Sequence, residues 1–488
     1  MYGTTEYGGA NRYGTVFKIT PSGALTKLYS FCSQSGCADG ANPFGPLVQA
    51  TDGNFYGTTV SGGAFTYCGF AGGCGTVFKI TPSGSLTTLH SFDGGDGAGP
   101  LGLVQATGGN LYGTTENGGA NSAGTVFKIS PNGGPVKTVY SFCSQGGCTD
   151  GELPYAGLVQ GTGGNFYGTT QYGGANQTGS CKDGPCGTVF KTTPGGTLTT
   201  LYSFCSQGGC TDGELPYAGL VQGTGGNFYG TTYGGGANHG GTVFKITPSG
   251  TLTTLYSFCS QGGGFCTDGA ATSAGLVQAT GGNLYGTTPV GGANHNYGTV
   301  FKITPSGTLT TLYSFCSQGG TSCTDGAYPL AELVQATDGN LYGTAWGGGA
   351  NNYGTVFKIT PSGTLTTLYS FCSQTGCTDG GEPSAGLVQA TDGNFYGTTL
   401  YGGANTGACG VPGCGTVFKI TPSGTLTTLY SFCPEGRVCK DGRNPSAGLV
   451  QDTNGMLYGT TGSGGAKTRA CRGYCGTVFS LSVGLGRL

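Results

Sequence analysis

The strings Tyr-Gly-Thr-Thr and Gly-Thr-Val-Phe, always in that order and separated by a variable gap, recur along all 488 residues. Gly-Thr-Val-Phe begins at Gly14, Gly75, Gly124, Gly187, Gly241, Gly298, Gly354, Gly415 and Gly476, nine copies spaced about 50 to 60 residues apart. A period of that size marks a repeat architecture, in which one small unit cannot bury its apolar faces alone and needs its neighbours to do so. Length by itself would suggest about three domains. Because the repeat fills the chain, we expect a single domain over residues 1–488, with 1–20 as surplus strands of an incomplete repeat.

One copy, from Ala385 to Phe432, can be cut at its turn residues. Leu387-Val388-Gln389-Ala390 is a short apolar strand A, and Thr391-Asp392-Gly393-Asn394 is an Asp-Gly hairpin turn. Strand B follows as Asn394-Phe395-Tyr396-Gly397-Thr398-Thr399, then a longer loop containing Gly402-Gly403-Ala404-Asn405. Strand C is Gly415-Thr416-Val417-Phe418-Lys419-Ile420-Thr421. Pro422-Ser423-Gly424 is a second tight turn, and strand D runs from Thr425 to Phe432. Val, Thr, Tyr, Phe and Leu dominate these segments, and no stretch shows a sustained 3.6-residue apolar period, so essentially no helix is expected.

Four short antiparallel strands per repeat predict an all-β fold, a β-propeller of four-stranded blades. Strand C carries apolar groups on both faces, as a sheet packed between two others requires. A β-solenoid is the alternative, but its coils are usually shorter and lack two tight hairpins per repeat. Counting by motif gives eight A, nine B, nine C and eight D strands, 34 in all. Eight blades are favoured, the last taking its D strand from Leu25 to Phe31; nine blades, two of them lacking a strand, is the competing count.

The 106 glycines show no Gly-X-Y register and fall at the same places in each repeat, which marks turns. With 19 Lys+Arg against 21 Asp+Glu there is no basic stripe to neutralise a phosphate backbone, so nucleic acid is not an expected partner. No apolar run reaches the length of a membrane span.

All 22 cysteines have a neighbour four to seven positions away. Seven pairs follow strand D: Cys32 with Cys37, Cys143 with Cys148, Cys205 with Cys210, Cys259 with Cys266, Cys316 with Cys323, Cys372 with Cys377, and Cys433 with Cys439. Four precede Gly-Thr-Val-Phe: Cys68 with Cys74, Cys181 with Cys186, Cys409 with Cys414, and Cys471 with Cys475. The second copy reads His90-Ser91-Phe92-Asp93-Gly94 and has lost both members of its pair together, the signature of cysteines bonded to each other. Zinc would need two pairs converging on one ion, which spacing does not predict. Local disulfides belong to an oxidising compartment, so an exported protein, extracellular or at the cell surface, is expected. Met1 opens directly on a repeat strand, so a signal peptide is expected upstream.

Strands that alternate in direction put the A-to-B and C-to-D turns at one end and the B-to-C and D-to-A loops at the other. The second end carries the cysteines and most of the length variation, and it is where binding is expected. Candidates there are few. His239 and His295 lie in B-to-C loops of successive repeats, where solvated histidines are the bland reading. Asp39, Asp150, Asp212, Asp268, Asp325, Asp379 and Asp441 share one D-to-A position; they are turn formers first, and a calcium ring is the other reading, with no cofactor otherwise expected. Glu152 and Glu214 occupy near-identical loops, and as a catalytic carboxylate pair they would have to stand about 5 to 9.5 Å apart. Trp346, the single tryptophan, is either a packing variant or a platform for a sugar ring. The strand C lysines (Lys18, Lys79, Lys128, Lys191, Lys245, Lys302, Lys358 and Lys419) are strand-end residues reaching solvent or a carboxylate. Glycine-rich matches to phosphate loops have no helix after them and carry no meaning.

The repeated Leu-Val-Gln-Ala-Thr-Asp-Gly-Asn-Phe-Tyr-Gly-Thr-Thr, Gly-Gly-Ala-Asn, Gly-Thr-Val-Phe-Lys-Ile-Thr-Pro-Ser-Gly and Leu-Tyr-Ser-Phe closely resemble the GloVer tandem-repeat proteins, a bacterial family named from Gloeobacter and Verrucomicrobia. The resemblance covers essentially the whole chain. It implies an exported protein, in many members tethered by a C-terminal segment, and it supplies no catalytic residues. Two functions follow as expectations. The favoured one is a secreted or surface scaffold, not an enzyme, that binds a glycan, an extracellular protein or matrix through its B-to-C and D-to-A loops. The alternative is a carbohydrate-active hydrolase or lyase with its site at the channel mouth.

Overall fold

The computed structural model describes residues 2–5, 11, 13, 15–19, 25–43, 47–65, 68, 72–176, 186–261, 266–405, 409–410, 413–434, 439, 443–446, 448–451, 457–461 and 478–481. Among them are 34 strands, in the order and number that the motifs predict. Each of the seven complete repeats forms one four-stranded antiparallel sheet whose strands are neighbours in chain order. One such sheet is Val221–Gln222, Phe228–Thr232, Thr242–Ile246 and Leu252–Ser257, strands A to D. Helix among the described residues is confined to single 3-10 turns such as Gly208–Cys210. The fold is a β-propeller of four-stranded blades.

At the chain ends, Tyr2–Thr5, Thr15–Ile19 and Leu25–Ser30 form a three-stranded sheet, and Val450–Gln451, Leu457–Thr460 and Val478–Leu481 form another. Among the described residues the strands thus group as seven four-stranded and two three-stranded sheets, and Leu25–Ser30 belongs to the N-terminal sheet instead of serving as the D strand of the C-terminal repeat. Leu25–Ser30 lies beside Thr15–Ile19 because strands joined by a few residues pair at the lowest loop-closure cost.

The tight turns form as their sequences dictate. Gly393 N–H donates to Ala390 O at 2.9 Å with φ of +77°, and the Asp392 side chain accepts from Asn394 N at 3.0 Å. Strands C and D pair with a bulge: Val243 faces Tyr256 and Phe244 faces Thr254, so Leu255 is skipped. The same shift recurs in each four-stranded sheet. Val243 and Phe244 are both fully buried, and Phe244 packs edge-on against Phe204 of the preceding sheet.

The polypeptide divides into two compact units, one of Tyr2–Lys18 and Lys27–Ser257, the other of Met1, Ile19–Thr26 and Phe258–Leu488. Within the first, the phenylalanine after strand D meets the strand C phenylalanine of the next sheet edge-on. The pairs are Phe31–Phe78, Phe92–Phe127, Phe142–Phe190 and Phe204–Phe244, with centroids 5.0 to 5.2 Å apart. Within the second, Phe258–Phe301, Phe315–Phe357 and Phe371–Phe418 repeat the contact at 5.1 to 5.2 Å. Each such pair contributes about 0.5–1.5 kcal/mol beyond its area burial. Polar links run alongside: Gln222 Oε1 accepts from Thr162 N at 3.0 Å, and Gln389 Oε1 from Thr337 N at 2.9 Å, each joining successive sheets.

The glycine that opens Gly-Thr-Val-Phe has its own reason. At Gly187 φ is +95°, and a Cβ there would lie 2.6 Å from both Pro216 Cδ and Thr170 O. Gly298 and Gly354 meet Pro329 and Pro383 in the same way. The proline of each of these D-to-A loops thus seats on the glycine of the sheet before it.

Candidate functional site

The D-to-A loops are built around the repeated aspartate. Asp212 is fully buried, and its Oδ2 accepts from Tyr202 Oη at 2.7 Å, Ser206 N at 2.9 Å and Ser206 Oγ at 3.0 Å. Asp39, Asp150, Asp325 and Asp379 hold the same Tyr and Ser partners, and Asp268 accepts from Ser260 N and Oγ. Asp441 lies outside the described residues. The carboxylate oxygens that a calcium ring would use are thus engaged by their own loops.

The phenols record the same arrangement. Burial first, opposed by the serine hydroxyl and reinforced by the aspartate, pushes Tyr202, Tyr313 and Tyr369 up to about 12. A tyrosine raised in the folded state stabilises the fold fully below its unfolded pKa of about 10, and that stability is lost as pH rises through about 12. An absorbance titration should therefore show tyrosinate in two waves, the second coinciding with loss of the β-sheet signal. One wave near pH 10 with the sheet intact would contradict it.

Nine of the eleven expected cysteine pairs stand at disulfide distance. After strand D these are Cys32 with Cys37, Cys143 with Cys148, Cys205 with Cys210, Cys259 with Cys266, Cys316 with Cys323, Cys372 with Cys377, and Cys433 with Cys439. Before Gly-Thr-Val-Phe they are Cys68 with Cys74 and Cys409 with Cys414. In these nine, each cysteine is paired with the neighbour that spacing assigns to it. Cys181, Cys471 and Cys475 lie outside the described residues. Cys74, Cys210, Cys323, Cys377, Cys414 and Cys439 are buried, while Cys37 and Cys266 are half-buried, so most of the sulfur is turned into the loops it closes. Where the second copy lacks cysteines, the His90 ring contacts the Asp96 carboxylate instead. The Gly-Gly-Ala-Asn asparagine ties its B-to-C loop to the end of strand D: Asn176 Nδ2 donates to Phe204 O and Asn405 Nδ2 to Phe432 O, both at 3.1 Å.

Cys37 and Cys377 also hold the neighbouring B-to-C loop through their backbone. Cys37 O accepts from Gly40 N and Gly63 N, both at 2.8 Å, and Cys377 O accepts from Gly380 N at 3.0 Å and Gly403 N at 2.8 Å. Cys266 O does the same for Gly269 N and Gly292 N. Cys74 plays a different part, because its O accepts from Gly99 N of the following D-to-A loop at 3.0 Å.

Among the described residues, backbone bridges join six of the D-to-A loops to the B-to-C loop beside them, as in Glu214–Gly234 and Ala327–Gly347. The next residue, before the seated proline or its equivalent, takes φ between +53° and +58° in seven loops: Asn42, Leu153, Leu215, Ala271, Tyr328, Glu382 and Asn444. That backbone is unfavourable for a residue with a Cβ. Its identity varies while the geometry does not. The sequence reading missed this position; its signal is a variable residue preceding a recurrent proline.

In the second unit this position builds an aromatic group. Tyr328 N donates to Tyr297 O at 2.8 Å, Trp346 N to Tyr328 O at 3.1 Å, and the Tyr328 ring lies 5.5 Å from Tyr297 and 6.3 Å from Trp346. Tyr297, Tyr328, Gly349, Asn351 and Asn352 line an open depression of about 600 Å³. Burial pushes the Glu382 carboxyl up, and the nearby Trp346 side chain pulls it back. Trp346 remains 37% exposed, so it is not a core packing variant.

The other candidates have surroundings of their own. His239, in the first unit, and His295, in the second, are exposed residues at left-handed turn positions, with φ of +61° and +65°. Glu152 and Glu214 each approach the cysteine pair of their own loop: Glu152 lies near Cys143 and Cys148, and Glu214 Oε2 is 3.9 Å from Cys205 Sγ. Burial raises the Glu152 carboxyl. Strand C lysines reach the opposite end of the strands, Lys79 to Asp52 at 3.1 Å, Lys419 to Asp392 at 3.0 Å, and Lys191 to Pro248 O at 3.3 Å. Glu332 was not singled out by sequence; it stands where other copies carry glycine, between Gly275 and Gly386 of the flanking sheets.

The sequence model of the Gloeobacter/Verrucomicrobia repeat matches residues 1–182, 182–324 and 320–487. The chain belongs to the Gloeobacter/Verrucomicrobia repeat family. No curated protein matches it. Solved structures similar to this family member include virginiamycin B lyase from Staphylococcus aureus, at 14% identity and TM-score 0.39, covering 79% of this chain and 93% of that one. A puromycin-hydrolyzing peptidase of Mycobacterium tuberculosis is similar at 10% identity and TM-score 0.40, covering 82% of this chain and 57% of that one. Puromycin hydrolase is similar at 11% identity and TM-score 0.40, covering 88% and 60%. At this level of likeness no activity carries across, and the fold assignment rests on the sheets themselves.

Proposed function

We propose that the chain is an exported scaffold that binds carbohydrate through its B-to-C and D-to-A loops, with Tyr297, Tyr328 and Trp346 as one sugar platform. One observation carries this reading. Among the described residues the exposed large apolar side chains are Tyr13, Phe65, Tyr155, Tyr233, Leu330 and Trp346, and all six lie in those loops. Scattered exposed apolar residues need no explanation, but their confinement to one kind of loop does. Five are aromatic, and an aromatic face with polar neighbours suits a ligand that has apolar C–H faces and hydroxyl edges. Asn351 and Asn352 supply polar edges beside Tyr297 and Tyr328, and the Glu382 carboxylate supplies one near Trp346. Paired cysteines and the family's motifs support export.

A glycan array on the oxidised protein tests this. We expect binding to a restricted set of glycans, weakened about tenfold or more by Trp346→Ala or Tyr328→Ala, since a well-placed aromatic anchor contributes roughly 2 kcal/mol or more. The melting temperature should hold in Trp346→Ala, because Trp346 is exposed. Absence of glycan binding, or binding unchanged in both variants, would overturn the proposal. Release of sugar products from a bound glycan would point to the hydrolase or lyase alternative.

A further inference from the structure

Spacing argues against zinc because two cysteine pairs would have to converge, and the tertiary structure produces that convergence. Strands C and D are adjacent, so a cysteine just before Gly-Thr-Val-Phe comes beside the pair that follows strand D. Cys186, Cys205, Cys210 and Glu214 bring three sulfurs and a carboxylate oxygen within 4.8 Å of one another. All four are buried, at 0%, 3%, 2% and 5% exposure.

We propose that these four residues, once their disulfides are reduced, form a site for a thiophilic divalent ion of zinc type. Tetrahedral zinc with bonds of about 2.3 Å to sulfur and 2.0–2.2 Å to oxygen sets its ligand atoms about 3.5–3.8 Å apart, so the bonded Cys205 and Cys210 sulfurs must part to that distance once reduced, while no ligand atom starts more than 4.8 Å from another. A dithiol reductant supplies the electrons. Its thiolate attacks one sulfur of the disulfide between Cys205 and Cys210, the other cysteine leaves as thiolate, and the second reductant thiol closes the reductant's own disulfide. The same exchange releases Cys186 from its disulfide. Three thiol protons then pass to solvent as the ion takes three thiolates and the Glu214 carboxylate.

Two related clusters in the chain serve as internal controls. Cys409, Cys414 and Cys439 also converge, with Cys414 Sγ 3.8 Å from Cys439 Sγ, but the position of Glu214 there is Arg443, whose Nη1 lies 4.0 Å from Cys409 Sγ. A fixed cation opposes a divalent ion at that place. Cys143, Cys148 and Glu152 have the carboxylate and lack the third sulfur. The preferred order of affinity is therefore the Cys186 cluster first.

The full chain is refolded from the reduced state with and without Zn²⁺, alkylated, and mapped by peptide mass spectrometry. Zinc should protect Cys186, Cys205 and Cys210 together while leaving Cys316 and Cys323 labelled. Cys186→Ser should abolish protection of Cys205 and Cys210, and Glu214→Gln should raise the zinc needed by about tenfold or more, as losses even beyond the ligand shell do. A Cys181→Ser variant presents Cys186 as a thiol in an otherwise oxidised chain, so only the disulfide between Cys205 and Cys210 must be opened. Equal labelling with and without zinc in both preparations, or protection unchanged in Cys186→Ser, overturns the proposal. So does a chain that stays unfolded with zinc present.

Discussion

Asp212→Ala should lower the stability of its unit by about 3 kcal/mol, a fall in melting temperature of about 6 to 12 °C for a unit of this size. The carboxylate is fully buried and accepts from Tyr202 Oη, Ser206 N, Ser206 Oγ and Gln207 N, the last at 3.3 Å. Hydrogen bonds to a charged group contribute about 1.5–3 kcal/mol each, but the loop lies at the sheet edge and water can reach part of it, so the loss is below the sum. Asp212→Asn keeps the volume and one acceptor and turns an amide toward donors, so it should fall between. The Tyr202 phenol should drop back from about 12 once burial and its carboxylate partner are lost. A melting temperature unchanged in the alanine variant would show that the aspartate is not the centre of its loop.

Gly187→Ala should cost about 3 kcal/mol or more and open the junction between two successive sheets. Two independent terms add. The backbone at φ of +95° lies outside the region a residue with a Cβ adopts easily, and the new methyl would stand 2.6 Å from Pro216 Cδ and Thr170 O. A proline ring and a backbone carbonyl cannot swing aside as a long side chain would, so the strain spreads into the sheets. Pro216→Ala in the same chain removes one contact and leaves the φ penalty, so the double variant should recover part of the loss. Hydrogen exchange should place the weakening at the Thr188–Thr192 strand and the loop holding Pro216. Wild-type melting and uniform exchange in Gly187→Ala would contradict the account.

How far the site was legible follows from what each residue contacts. Local chemistry was readable: Asp-Gly and Pro-Ser-Gly make turns wherever they stand, and cysteines a few residues apart, such as Cys32 with Cys37 or Cys372 with Cys377, close short loops. The backbone of Cys37 and Cys377 reaching into another loop was not readable, because Gly63 and Gly403 come to them from the B-to-C loop of the next sheet. Trp346 was legible as an exception within a repeat, but its partner was not, since Tyr328, itself packed on Tyr297, reaches it from another loop. The left-handed residues before the seated prolines were invisible for a similar reason: backbone bridges to another loop impose that conformation.

The sequence by itself determined the strands, their antiparallel order, the two tight turns and the division of the strand ends into a uniform set and a variable one. These depend on interactions between residues close in the chain, and the repeat states them many times. Only the tertiary structure decided which sheet Leu25–Ser30 joins, that Cys186 reaches the Cys205 and Cys210 pair, and that the glycine of Gly-Thr-Val-Phe exists to receive a proline from the next loop. The first outcome turns on pairing across a short connection, the second on adjacent strands bringing two loops of one sheet together, and the third on packing between successive sheets; the repeat makes every copy look alike, and only three-dimensional contact distinguishes them.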